Sequence, residues 1–163
     1  MLYSFSGGVD GAIPVAALIF DVAGNLYGTT RLGGAANGFG AVFELTPNSD
    51  GSWTESVLHS FNHHDGAFPY AGLIFDDVGN LYGTTSEGGN LSCRRGHGCG
   101  TVFKLTPNSK GSWAYSRPHA FLGKSASTPY SGLVLHNDGY LYGMTNDCGS
   151  GTGCHGVVFK LTP

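Results

Sequence analysis

A chain of 163 residues is long enough to bury the core of one domain. Its 28 glycines and 12% charged residues favour many tight turns over long helices, because glycine serves where the backbone must reach positive φ. The net charge of −3, with no block of Lys or Arg, excludes a nucleic-acid partner from the expectations, and no apolar run approaches the roughly 20 residues of a membrane helix.

The chain opens on repeat sequence. "LYSF" at Leu2 returns as "LHSF" at Leu58 and "PHAF" at Pro118. No leader precedes it, so the chain reads as a mature or excised piece of something larger. An apolar run follows, "AALIFD" from Ala16, then the turn "DVAGN" and the heptapeptide "GNLYGTT" at Gly24 to Thr30. The heptapeptide recurs unchanged at Gly79 to Thr85 and in worn form, "GYLYGMT", at Gly139 to Thr145. After it come a glycine-rich loop, the run "AVFELT" from Ala41, the turn "PNSDGSW" and the run "WTESVLHSF" from Trp53. The second unit repeats the order with "AGLIFD", "TVFKLT" and "WAYSRPHAF"; the third supplies "SGLVLH" and stops after "VVFKLT". Pro14, Pro69 and Pro129 also align, and the period is 55 to 60 residues.

A period of this size means propeller blades or solenoid units. Helical spacing never persists, whereas β-branched and aromatic residues bounded by Gly, Asn and Asp fit strands. Gly24, Gly79 and Gly139 fall where a type I turn with a bulge needs a left-handed residue. Four antiparallel strands per repeat is the plan of a propeller blade. Leu26, Leu81 and Leu141 are expected to plug the space between blades, and the glycine of each "LYG" to let the next sheet come close.

The expected fold is therefore all-β: a single β-propeller domain over residues 1–163, with repeats at approximately 2–57, 58–117 and 118–163. The chain starts on a fourth-type strand and ends on a third-type strand, so the last blade lacks its outer strand. Rings hold roughly four to eight blades. Two chains are thus expected to form a homodimer with six blades, each Leu2–Phe5 segment pairing with the partner's Val158–Leu161 strand. The alternative is a longer native array of which this is a part.

The pattern "LYSF…LIFD..GNLYGTT..GG…VFELTP" resembles the extracellular bacterial tandem repeat called GloVer, over the whole chain. More distantly, the order of apolar strand, "GxLYG", "KLTP"-type strand and Trp is similar to tachylectin blades, which form a sugar-binding propeller. The resemblance implies a secreted or cell-surface location. It supplies no catalytic motif, and a fold alone does not fix function.

Strand direction puts the short hairpins on one rim and the long, variable loops on the other. Loops that vary on a constant scaffold are candidates for function. The long-loop rim carries Asp10, the "HHD" of His63, His64 and Asp65, the pair Arg94 and Arg95, and His97. A histidine beside a carboxylate suits a general base, and paired arginines suit an acidic sugar. Phe39, Phe68, Tyr70 and Tyr130 offer rings for sugars, or fill blade interfaces. Cys93 with Cys99, and Cys148 with Cys154, read as two local disulfides; the alternative is a zinc set joined by His97 or His155. No cofactor or metal is expected. The functional expectation is an extracellular non-enzymatic module, glycan-binding or structural, and the alternative is a polysaccharide lyase or hydrolase with its site on the loop rim.

Overall fold

The computed structural model describes residues 1–35, 38–123, 126–147 and 155–163. They form three antiparallel sheets and a single 3-10 turn, Arg94–Gly96. The first sheet runs β1 (Ile19–Phe20), β2 (Leu26–Thr30), β3 (Ala41–Pro47), β4 (Trp53–Ser60). The second repeats it with β5 (Ile74–Phe75), β6 (Leu81–Thr85), β7 (Thr101–Pro107) and β8 (Trp113–Ala120). The third stops at three strands: β9 (Val134–Leu135), β10 (Leu141–Thr145) and β11 (Val157–Leu161).

The turns follow from their side chains. Asp21 donates its backbone N–H to the Asn25 carbonyl at 3.0 Å, and its carboxylate accepts the N–H groups of Ala23 and Asn25, with Gly24 at φ 89°. Asp76 builds the same turn in the second sheet. In the third, His136 stands at that position, and Asp138 receives the tyrosine hydroxyl of Tyr142 at 2.8 Å instead.

Each apolar run gives a strand of only two residues. In the second and third sheets the small residues ahead of it turn their carbonyls to the preceding sheet: the Thr29 hydroxyl donates to the Ala71 carbonyl at 3.2 Å, and Thr84 to that of Ser131 at 3.1 Å. Backbone used between sheets is lost to the ladder within one.

The glycine of "LYG" has a different role from the one expected. Gly28 lies opposite Phe43 in the register of its own sheet, and a Cβ there would sit 2.7 Å from the Phe43 ring and 2.6 Å from Leu18. Gly83 and Gly143 relate to Phe103 and Phe159 in the same way. The missing side chain makes room for a ring of the same sheet; Phe103 and Phe159 then meet the ring that follows the preceding fourth strand, and Phe43 meets Phe5.

The sheets stack face to face in chain order. Tyr27 and Val42 pack against Leu73, Leu81, Phe103 and Leu105; Tyr82 and Val102 pack against Leu133 and Leu141. Leu81 and Leu141 thus plug the sheet interfaces as their pattern predicted. The end of each fourth strand adds a ring: Phe61 meets Phe103 edge-on at 5.2 Å, and Phe121 meets Phe159 at 5.2 Å. The segment Leu2–Phe5 joins none of the sheets among the described residues, yet Phe5 meets Phe43 edge-on at 4.9 Å, and Tyr3 with Phe5 covers Leu26, Phe43 and Leu45.

Candidate functional site

The long loops come together on one rim, as strand direction requires. The Ala67 and Glu87 backbones exchange two hydrogen bonds, and Gly89 N–H reaches the His63 carbonyl at 3.0 Å. Between sheets, Phe68 N–H donates to the Phe39 carbonyl and Thr128 N–H to that of Cys99, both at 2.8 Å.

Cys93 and Cys99 form a disulfide with a Cα–Cα distance of 5.6 Å. Its sulfurs are joined to each other and so cannot serve as a zinc pair. The bond does more than rigidify a surface loop: Cys99 is fully buried, and both cysteines belong to the core shared by the second and third sheets. The pairing expected of Cys148 and Cys154 lies outside the described residues.

The candidate carboxylates face inward. Asp10 is buried, accepts Ser6 Oγ at 2.6 Å, Ser6 N–H at 2.7 Å and the Tyr3 hydroxyl at 3.1 Å, and these Ser6 bonds hold it below the usual carboxylate range. Asp65 contacts His59 Nε2 at 3.1 Å and accepts Asn62 N–H at 3.0 Å, while its carbonyl takes the Tyr115 hydroxyl. Asp65 thus clamps the fourth strand of the first sheet to the loop leaving it, and Asp10 does the same for the N-terminal Leu2–Phe5 segment.

The basic candidates are dispersed. His63 stacks on Phe39 at 4.7 Å and contacts the His97 carbonyl through Nε2. His64 is exposed, and its carbonyl receives Arg117 Nη1 at 2.6 Å. His97 lies 3.5 Å from the Glu87 carboxylate. Arg94 donates to the Thr128 hydroxyl, which fastens the disulfide loop to the next connection, and Arg95 is exposed at φ 57°. Neither His63 nor His64 contacts Asp65 through its side chain, so the "HHD" run makes no acid–base pair.

On this rim the structure adds a cation, Arg31, to two of the rings the sequence offers, Tyr70 and Tyr130. The Arg31 guanidinium lies 4.9 Å from the Tyr70 ring centroid, and Tyr70 meets Tyr130 edge-on at 4.9 Å. Arg31 forms no ion pair among the described residues, and its Nε has no hydrogen-bond partner there. Tyr70 and Tyr130 both follow an aligned proline, which was the available signal. Arg31 had none, because Ser86 and Asn146 replace it in the other repeats.

The short-hairpin rim holds a cleft of about 480 Å³ between Phe20, Val22, Phe75 and the Asp21, Asp76 and Asp77 region. Asp21 and Asp76 are already committed to their turns. Burial would raise both, but the Asn25 and Tyr27 or Asn80 and Tyr82 donors outweigh it and hold them low. No group of three metal-ligating side chains exists among the described residues.

Three stacked sheets of one repeat, with constant strands and a variable rim, define an all-β repeat module. The chain belongs to the Gloeobacter/Verrucomicrobia repeat family, whose pattern matches residues 1–163. No curated protein matches it.

Proposed function

We propose that this chain is an extracellular, non-enzymatic surface module that binds acidic glycans on its long-loop rim and pairs with a second copy to close a six-bladed propeller. The observation that carries the glycan reading is the ladder of Arg31 over Tyr70 beside Tyr130. Aromatic faces suit the apolar faces of sugar rings. A guanidinium without a carboxylate partner among the described residues suits a uronic acid, because its planar donors match a carboxylate. The Cys93–Cys99 bond supports an oxidising compartment.

The test is calorimetric titration with uronic-acid oligosaccharides and with neutral ones of equal length. Arg31→Ala is expected to weaken acidic binding about tenfold or more, the worth of one charged hydrogen bond, and to leave neutral binding unchanged. Equal loss on both would remove Arg31 as the acid reader. Sugar product in the same samples would favour the polysaccharide lyase or hydrolase reading.

A further inference from the structure

The two ends of the sheet stack expose halves of the interface that the interior of the stack buries. On the third sheet, Val134 is 63% exposed, Met144 54% and Val158 75%. Met144 lies opposite Val158 in register, and Tyr142 lies between Val134 and Lys160, so these residues share one continuous face. The matching positions Val42 and Val102 are fully buried by the next sheet. At the other end, Leu18 is 47% exposed and Phe20 64%, whereas their counterpart Leu73 is buried and Phe75 packs edge-on against Tyr27 at 5.2 Å.

Backbone strain points the same way. Ile13, Phe68 and Thr128, each before an aligned proline, hold φ of 58°, 55° and 58°. Such values are uncommon for a non-glycine residue and persist where the surroundings impose them. At Phe68 and Thr128 the strained residue sends its N–H across to the preceding sheet's loop, at the Phe39 and Cys99 carbonyls. Ile13 keeps the conformation with no such receiver among the described residues.

From these matched halves we infer that the exposed face of the third sheet docks on the first sheet of a second copy, in the register that the interior interfaces already display. This rests on the ring reading given above. In the first two sheets the third strand pairs with the fourth as Ala41 with Ser60 and Val42 with His59, then as Thr101 with Ala120 and Val102 with His119. The same register sets Ser4 opposite Val157 and Tyr3 opposite Val158 of the second copy. Leu2–Phe5 already occupies the place of a preceding fourth strand, so it completes the second copy's three-stranded sheet by strand addition. Ile13 N–H then meets the second copy's His155 carbonyl, and Phe20 meets its Tyr142. A chain carrying both halves closes as a pair with two identical junctions.

Sedimentation of the full chain is expected to give twice its 17.0 kDa mass at micromolar concentration. Met144→Glu, at an exposed position, is expected to weaken pairing at least tenfold while the circular dichroism of the chain stays unchanged; Val78→Glu, on a distant hairpin, is the control that keeps the pair. A Ser4→Cys/Val157→Cys chain is expected to cross-link between copies, with non-reducing peptide mapping locating the bridge at positions 4 and 157. A single-chain mass at every concentration overturns both the ring reading and this inference. A pair that survives Met144→Glu, or that forms no bridge between those positions, keeps the ring reading and overturns the docking faces.

Discussion

At the residue scale the glycine of "LYG" shows how a repeated letter acquires its reason. Gly83 has no unusual φ; its constraint is space, since a Cβ would stand 2.5 Å from the Phe103 ring. Gly83→Ala is therefore expected to lower stability by about 1–3 kcal/mol, the usual cost of overpacking a filled core, read as a lower urea midpoint with an unchanged slope. Gly24, by contrast, was legible beforehand, because a tight turn between strands calls for a left-handed residue whatever surrounds it. The neighbour of Gly83 was not legible. Only the register shows that Phe103 lies opposite. Arg31 was hidden for a related reason, since its meaning comes from Tyr70 in the next repeat.

At the element scale the long loops are fixed by more than their own sequence. The Cys93–Cys99 loop packs its sulfurs beneath Gly123, joins the core of two sheets and is tied by Arg94 to Thr128. Replacing both cysteines with alanine is expected to reduce stability by about 2 kcal/mol from chain entropy alone, measured by denaturant unfolding of the oxidised protein. The pairing was readable from spacing, but its burial was not. Asp10 and Asp65 teach the converse lesson. They read as rim candidates by position, yet Asp65 is turned back on a fourth strand and Asp10 on the N-terminal segment equivalent to one. A loop's location says which rim it occupies, while its side-chain direction depends on the strand it leaves.

At the scale of the whole molecule, several aspartates share one response to acid. Asp21 and Asp76 are held low despite burial, and Asp10, Asp50 and Asp138 are held low by hydrogen bonds from Ser6, Ser52 and Tyr142. A carboxyl with a folded pKa below its unfolded value stabilises the fold above that unfolded value, and this is lost as pH falls through the folded one. Stability is therefore expected to decline as pH drops below about 4, near the ordinary aspartate value. Glu55 works against the trend, because burial and then Asp10 raise it. Urea unfolding at successive pH values checks this, and Asp21→Asn/Asp76→Asn is expected to flatten the acid decline.

The sequence by itself determined the strand order, the turns, the three strands of the last sheet and the rim on which variable loops gather. These depend on local backbone preference and on repetition, both of which are written in adjacent residues. Tertiary structure alone decided which ring fills the space over each glycine, which way the loop carboxylates face, and which cation is left beside the tyrosines. Those outcomes depend on residues far apart in the chain, and they exist only once one sheet has been laid against another.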